Sequence, residues 1–335
     1  MTRVLDVRPE PITDWVVDSY RSSLHDLRFS ALPSVKVKLL ILFDTRTNIP
    51  TEDVGIEDVG TEDVGTAVEE VKRDQIRQWF GDHGRHGVEV YTWTELRRRQ
   101  DVVFSTGGPF RQTPLFQPNP ALAKLLALQG DGLHGRTVLD PGSGAGRDAI
   151  LIAREGARVF CVDQRFVLAD TCRAMAATFN IPCHVLSRND FVWDPTVQKS
   201  GSITDNGSIT DNGSITDNGS ITYVVGLVDE ELLKAIGPVD IVHVSRFFVR
   251  GLLPVLRNLA KTAFVYHHFL LGCERPAKPE QCLTDRFELP RLFKSSTQIA
   301  DRESTPEWTI VEDSTMLVRE VMDRELVVFV ARKTL

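Results

Sequence analysis

Short apolar runs alternate with helical patterns over the last two thirds of the chain. Residues 137–139, 157–162 and 239–244 are apolar or β-branched runs with the length of buried strands. Residues 149–155 place apolar side chains at helical spacing, and the pattern ends at Gly156. Strands that alternate with helices in this way predict an α/β fold built on a parallel sheet.

The first hundred residues carry a second, shorter α/β pattern. It predicts strands at 4–9, 35–44 and 88–91 and a helix at about 67–80. Residues 105–120 are rich in proline and glycine, which is typical of a linker between domains. We therefore expect a small domain at 1–104 and a larger one at 121–335.

Two repeats interrupt these patterns. Residues 52–66 repeat Glu-Asp-Val-Gly, and residues 201–222 repeat Gly-Ser-Ile-Thr-Asp-Asn. Both repeats are too short and too polar to stack into a solenoid, and their glycine, asparagine and aspartate favour turns. We interpret them as low-complexity surface loops without an assigned function.

Composition narrows the classes of partner. The net charge of −7 argues against a nucleic-acid partner, and no apolar run approaches the roughly 18 residues of a membrane span. The five cysteines form no Cys-x-x-Cys pair, so we expect reduced thiols in a cytoplasmic protein. His83 and His86 lie in a glycine-rich turn, and we expect no metal site.

A glycine-rich turn joins the strand at 137–139 to the helix that follows it. Gly142, Gly144 and Gly146 stand at alternate positions behind Asp140. Glycine tolerates positive φ and leaves no Cβ between the backbone and a bound ligand. A dinucleotide-binding turn reads G-x-G-x-x-G and places a pyrophosphate at the helix N-terminus. The G-x-G-x-G spacing here, with an acid facing the helix, favours a cationic group over a phosphate.

The next two predicted strands also end in polar residues. One ends at Asp163, followed by Gln164, where a carboxylate can accept both hydroxyls of a ribose. The other leads into Asn189, Asp190 and Phe191, where a carboxylate can hold an adenine amino group while the ring packs on the base. Because ligands of open α/β sheets bind at the carboxyl ends of the strands, these ends predict a nucleoside-shaped ligand.

The acid and glycine turn resemble motif I of the class I S-adenosylmethionine (SAM)-dependent methyltransferases. The resemblance implies a seven-strand Rossmann-like sheet over 121–335, whose last strand is antiparallel, and SAM as the cofactor. The cofactor-binding residues that it implies are Asp140, Gly142, Ser143, Gly144, Gly146, Asp163, Gln164, Asn189, Asp190, Phe191 and Ser245.

Later residues are similar to one group within that superfamily. The Ser-Arg-Phe at 245–247 and the Tyr-x-x-Phe at 266–269 resemble the tellurite-resistance methyltransferases, which implies a small-molecule methyl acceptor. His267 stands where that group carries an acid, and Pro141 is uncommon at its position.

The opening of the chain resembles a rhodanese-like domain. The match consists of Leu-Asp-Val-Arg-Pro at 5–9 and an Arg-x-x-x-Leu-Pro at 28–33. That family carries sulfur on a cysteine in the loop after its central strand, but residues 44–48 occupy the loop here and no cysteine precedes Cys161. The resemblance therefore implies a degenerate domain that serves as a lid or as a surface for a protein partner.

Methyl transfer from a sulfonium is an in-line displacement, so orientation and exclusion of water supply most of the catalytic effect. His267 is a candidate general base, with a structural histidine as the alternative, and Arg246 is a candidate for placing an anionic group, with a salt bridge as the alternative. The sequence thus predicts a SAM-dependent methyltransferase acting on a small molecule. The alternatives are a SAM-binding or interaction protein without turnover and, less favoured by the glycine spacing, a nicotinamide-dependent oxidoreductase.

Overall fold

A computed structural model of the chain describes two compact units, Met1–Gln117 and Pro118–Leu335. The split falls inside the predicted linker, and the predicted domain bounds stay predictions. The described residues are 2–8, 14–16, 20–21, 38–43, 64–83, 85–99, 104–106, 113–114, 116–130, 132–191, 219–272, 278–294, 308–319 and 323–333.

The first unit contains a parallel sheet of four strands in the order β3-β1-β4-β5, and its strands β2 and β6 pair antiparallel. Its elements are β1 (Thr2–Asp6), β2 (Asp14–Val16), β3 (Tyr20–Arg21), β4 (Lys38–Phe43), α1 (Val64–Asp82), β5 (Glu89–Thr92), α2 (Trp93–Leu96) and β6 (Phe104–Thr106).

Helix α1 begins earlier than the sequence predicted. We placed residues 64–66 in a loop, but the helix starts at Val64. The rest of the predicted loop, and the loop at 44–48 that separates this domain from an active rhodanese, lie outside the described residues. The rhodanese-like assignment therefore stays a prediction.

The second unit is built on a large, mostly parallel sheet with the order β13-β14-β12-β11-β7-β8-β10-β9. Its strands are β7 (Thr137–Pro141), β8 (Arg158–Asp163), β9 (Cys183–Ser187), β10 (Ser220–Val225), β11 (Val239–Ser245), β12 (Ala260–Phe269), β13 (Trp308–Arg319) and β14 (Asp323–Lys333). Its helices are α3 (Pro120–Leu128), α4 (Arg147–Arg154), α5 (Phe166–Thr178), α6 (Glu230–Ile236), α7 (Leu253–Leu259) and α8 (Glu288–Lys294). The predicted α/β class is confirmed, and β14 runs antiparallel to both of its neighbours.

Among the described residues this sheet has eight strands, so the predicted count of seven is wrong. The additional strand is β10, which lies between β8 and β9 and is parallel to both. We assigned residues 201–222 to a loop, but Ser220, Ile221 and Thr222 open this strand. The cause is that the last, partial copy of the repeat, residues 219–222, continues into an apolar and β-branched run, in which Ile221, Tyr223 and Val224 are buried in the sheet. Residues 201–218 lie outside the described residues.

One face of the sheet packs against α6, α7 and α8 through a single apolar cluster, which includes Leu139 and Tyr266. Consecutive strand residues point to opposite faces. Asp140 and His267, which follow these two residues, therefore point to the other face. The polar side chains of the candidate site are thus kept apart from the apolar core.

Candidate functional site

The glycine turn between β7 and α4 needs glycine at all three positions. Gly142, Gly144 and Gly146 have φ values of 69°, 56° and 75°, a region that costs other residues energy. A Cβ on Gly142 would lie 2.5 Å from Phe247, and one on Gly146 would collide with the sulfur of Cys172. A Cβ on Gly144 would meet no atom within 4 Å. Gly144 therefore faces open space, which leaves room for a ligand.

Side chains from β8 and β10 hold this turn in place. The carboxylate of Asp163, which is 8% exposed, accepts a hydrogen bond of 3.2 Å from the amide of Gly144. The phenol of Tyr223 is fully buried and donates a hydrogen bond of 2.7 Å to the carbonyl of Gly144. Strand β10, through Tyr223, thus helps to hold Gly144 in place.

A first cavity of about 290 Å³ opens at the carboxyl ends of β7 and β8 and the segment after β10. Its lining residues combine three apolar side chains with a carboxylate, an amide and a guanidinium, and they are Gly142, Asp163, Gln164, Arg165, Leu227, Val228 and Phe247. Such a cavity suits a ligand whose flat ring packs on the apolar side chains and whose hydroxyl groups donate to the carboxylate.

A second cavity of about 120 Å³ shares Gly142 with the first and extends toward the end of β11. Its walls are mostly polar or charged and consist of Asp140, Gly142, Ser143, Ala145, Arg147, Asp148 and Ser245. The two cavities lie where the chain order of the sheet reverses, between β7 and β11. Open α/β sheets bind their ligands at this switch point.

A buried hydrogen-bond network supports the second cavity. Asp140, which is 2% exposed, lies 3.1 Å from Nδ1 of the fully buried His243. The side-chain nitrogen of Asn119 lies 3.0 Å from Nε2 of His243 and donates to Asp148 at 2.8 Å. The side-chain oxygen of Asn119 accepts from the amide of Leu122 and so caps α3.

This network fixes the proton on His243. Because the oxygen of Asn119 is already engaged in the cap, its nitrogen faces Nε2 and must donate there. Nε2 is therefore unprotonated, and Nδ1 donates its hydrogen to Asp140. Burial lowers the pKa of His243, whereas the charge and hydrogen bond of Asp140 and the charge of Asp148 raise it. The net result is a pKa above its ordinary value. The bond from Asn119 exists only with the neutral ring, so we assign the neutral form.

Burial raises the pKa of Asp140, and the nearby charges of Asp148 and Asp163 act in the same direction, while His243 opposes the rise. Three carboxylates thus surround the glycine turn, and each is more stable when a cation is close.

Arg246 and His267 adjoin the second cavity. His267 pairs in register with Ser245, and its carbonyl accepts a 2.8 Å hydrogen bond from the amide of Arg246. Arg246 has a φ of 56°, an unusual value for a residue other than glycine. The ring of His267 is 3% exposed, and neither nitrogen has a hydrogen-bond partner among the described residues. Burial, with the charge of Arg246 as a further cause, lowers the pKa of His267 to about 4.

The neighbouring histidine has a structural environment. His268 lies 2.8 Å from the carbonyl of Gln281 through Nε2, and its ring stacks on Phe248 at a centroid distance of 5.2 Å. Because Tyr266 belongs to the apolar cluster, His268, two residues on, points to the same face as that cluster.

The two cavities contain most of the residues predicted to bind a cofactor. Their linings include Asp140, Gly142, Ser143, Asp163, Gln164 and Ser245, while Gly144 and Gly146 shape the turn. Asn189, Asp190 and Phe191 line neither cavity. They follow β9, which β10 separates from β8, and Phe191 instead packs against the apolar cluster. Their role in binding stays a prediction.

Several lining residues were not singled out from the sequence. Leu227 and Val228 follow β10 in the position next to Asp163, and the apolar run at 221–225 ending in Gly226 was the available signal. Arg147 and Asp148 open α4 directly after the predicted turn. Their position at the start of a helix, directly after a predicted ligand-binding turn, was the signal that could have identified them.

Within the described ranges no group of three or more histidine, cysteine, aspartate or glutamate side chains is arranged to hold a metal ion. No helix in the described part of the chain combines the length and the apolar character that a membrane crossing requires.

No protein-family model matches this chain, and the search of curated proteins found no relative. Similar solved structures include TehB from Haemophilus influenzae, at 13% identity, a TM-score of 0.39, and coverage of 64% of this chain and 62% of that one. The magnesium protoporphyrin IX methyltransferase ChlM from Synechocystis PCC 6803, with bound SAM, has 12% identity, a TM-score of 0.38, and coverage of 78% and 97%. The arsenic (III) SAM methyltransferase CrArsM from Chlamydomonas reinhardtii has 15% identity, a TM-score of 0.37, and coverage of 64% and 74%. Methyltransferases are therefore among the solved structures that this chain is similar to.

Proposed function

We propose that the second unit is a SAM-dependent methyltransferase with a small-molecule acceptor. The observation that carries the proposal is a pair of cavities that share Gly142. The first combines three apolar side chains with polar groups that include the carboxylate of Asp163, and the second is lined mostly by polar and charged side chains. SAM has the same division into an adenosine part and a charged amino-acid part.

The first cavity fits the adenosine. Asp163 offers carboxylate oxygens at the end of β8, where ribose hydroxyls can donate to them. Leu227, Val228 and Phe247 provide apolar surface for the adenine. Asp163 already accepts from the amides of Gly144 and Arg165, but a carboxylate has about four acceptor positions and can take further donors.

The charges of the second cavity favour a sulfonium and an ammonium over a phosphate. A phosphate at the start of α4 would meet the carboxylates of Asp140 and Asp148, and like charges at such short range repel each other. A cationic ligand instead compensates for the free-energy cost of burying these two carboxylates. Arg147 lines the same cavity and can bind the carboxylate of the ligand's amino-acid part. A nicotinamide cofactor, which contains a pyrophosphate, fits this charge pattern poorly.

In the proposed reaction the nucleophilic atom of the acceptor forms a bond to the methyl carbon while the carbon–sulfur bond breaks, and the electron pair stays on sulfur. The protein holds the two partners in line and keeps water out, which supplies most of the rate enhancement. Ser245 lines the second cavity, and we place the acceptor at this end, next to Arg246 and His267. With a pKa near 4, His267 is neutral at pH 7 and can accept a hydrogen bond from the acceptor.

The test is calorimetric titration with S-adenosylhomocysteine (SAH) of the wild type and of two alanine variants. Gly144→Ala and Gly135→Ala introduce the same methyl group at positive φ, at 56° and 69°, with no atom within 4 Å in either case. The strain is therefore similar, but only Gly144 lies in the turn beside the cavities. We expect Gly144→Ala to weaken SAH binding at least about tenfold through overlap with the ligand, and Gly135→Ala to bind normally.

Equal SAH affinity in the two variants would show that the ligand does not approach the turn. Absence of SAH binding to the wild type, with binding of NADH, would replace the proposal with the oxidoreductase. Binding of SAH without turnover on any acceptor would favour the alternative of a SAM-binding protein, for which the small volume of the second cavity is the supporting observation. A partner protein for the first unit and a cytoplasmic location stay predictions.

A further inference from the structure

A cationic face lies next to the second cavity. The guanidinium carbons of Arg246 and Arg324 lie 5.7 Å and 5.4 Å from the centre of the same ring, that of Phe269. Phe269 is buried, and both guanidinium groups lie within cation–π distance of its ring. Arg147 is close enough for the charge of Arg246 to lower its pKa, after the larger effect of desolvation. Three guanidinium groups thus form a local positive cluster, although the chain as a whole has a net charge of −7.

Two side chains of this face carry buried hydrogen-bonding atoms that are unused. Both ring nitrogens of His267 and Nε of Arg324 are buried and have no hydrogen-bond partner among the described residues. A buried polar group without a partner costs free energy. His267 lies two residues before Phe269 on β12 and so shares its face. The unused groups of His267 and Arg324 thus lie on the same side of the sheet as the ring that both guanidinium groups contact.

We propose that the face formed by Arg246, Arg324, Phe269 and His267 binds the carboxylate of the methyl acceptor, so that the acceptor is a small organic acid. This inference rests on the proposed function and specifies its substrate class. Guanidinium groups match carboxylates through paired, charge-assisted hydrogen bonds. The ring of Phe269 holds the two cations in place, and His267 provides a neutral acceptor or donor beside them.

The position of the face supports the acceptor rather than the methyl donor as the source of the carboxylate. Ser245, the last residue of β11, lines the second cavity, and Arg246 follows it. Arg324 comes from β14, which lies beyond β12 and two strands away from β11. The amino-acid part of the donor has Arg147 within the second cavity itself. Arg246 and Arg324 thus lie outside the lining of the cavity assigned to the donor, and Arg324 belongs to a strand farther from it.

The experiment compares benzoate with benzamide, its neutral analogue, as probes for the wild type and for Arg246→Gln and Arg324→Gln. Arg332→Gln is the matched control, because Arg332 lies on the same strand, β14, at the opposite end of its pairing with β12. Binding is measured by calorimetry with SAH-saturated protein and again without SAH, and thermal unfolding checks that each variant folds. We expect the wild type and Arg332→Gln to prefer benzoate at least about tenfold, and both other variants to lose that preference.

A wild type that binds benzoate no better than benzamide would overturn the inference. A second titration compares SAH with 5′-methylthioadenosine, which lacks the amino-acid part. If Arg246→Gln and Arg324→Gln weaken SAH but not methylthioadenosine, the face holds the carboxylate of the donor, and the acceptor assignment is wrong. Absence of SAH binding to the wild type would refute the proposed function, while the probes without SAH would still decide whether the face binds a carboxylate.

Discussion

The titration of His267 gives the sharpest test of the packing around the site. The ordinary pKa of 6.5 falls to about 4, chiefly because the ring is buried and secondarily because of Arg246. A histidine with a lowered pKa binds its proton more tightly in the unfolded chain, so stability is complete above pH 6.5 and declines as the pH falls toward 4. Since each factor of ten in proton affinity is worth about 1.4 kcal/mol, the full loss is on the order of 3 kcal/mol.

The perturbation is His267→Phe, which keeps a planar ring but cannot titrate. The linkage relation, with pKa values of 6.5 and about 4, gives a loss of about 2 kcal/mol for the wild type between pH 7.5 and pH 5. The variant lacks this contribution. Its free energy of unfolding, relative to that of the wild type, should therefore increase by about 2 kcal/mol as the pH falls from 7.5 to 5. His243 and His268 are present in both proteins, and their contributions cancel in the comparison.

Urea unfolding followed by circular dichroism at the two pH values measures this difference. Nuclear magnetic resonance of ¹⁵N-labelled histidine, with the variant used to assign the signal, reads the pKa of His267 directly. A His267 signal that titrates near 6.5, or an equal loss of stability in both proteins, would refute the burial and charge argument.

Three further predictions concern the glycine turn. Tyr223→Phe removes the hydrogen bond to the carbonyl of Gly144 and should lower the free energy of unfolding by about 1 kcal/mol and weaken SAH binding in calorimetry; unchanged values would show that the inserted strand does not support the turn. Gly146→Ala should be strongly destabilising because its Cβ would collide with Cys172, and Cys172→Ala in the same chain should restore part of the melting temperature; additive losses would contradict the collision. Asp163→Ala should weaken SAH binding by about 1–3 kcal/mol, and an unchanged dissociation constant would reject the placement of the ribose.

The sequence was informative wherever neighbouring residues determine the structure. Asp140, Asp163 and Ser245 each follow an apolar run, and a strand end next to a turn is a local pattern. The carboxyl ends of parallel strands meet at one edge. Their presence in the cavity walls therefore required no knowledge of distant contacts.

Strand order could not be predicted in the same way. The strand predicted before Asn189 forms over Cys183–Ser187, but β10 pairs with β8 and displaces β9 by one position. Pairing depends on contacts between residues far apart in the chain, and two runs of similar apolar character compete for the same neighbour. The roles of Asn119 and His243 were also hidden, because these residues are 124 positions apart and meet only in the folded sheet.

The position of β10 also bears on how this gene can change over time. The repeats at 201–218 join the strand near Ser220, whereas the cavity wall begins beyond its other end, at Leu227. Because each copy is a whole number of codons, a copy can be gained or lost without shifting the reading frame. The point of attachment is separated from the ligand cavities by the full length of the strand. Selection on the pocket therefore places little constraint on copy number, and related genes are expected to differ in the length of this segment while retaining Tyr223 and the residues around Leu227.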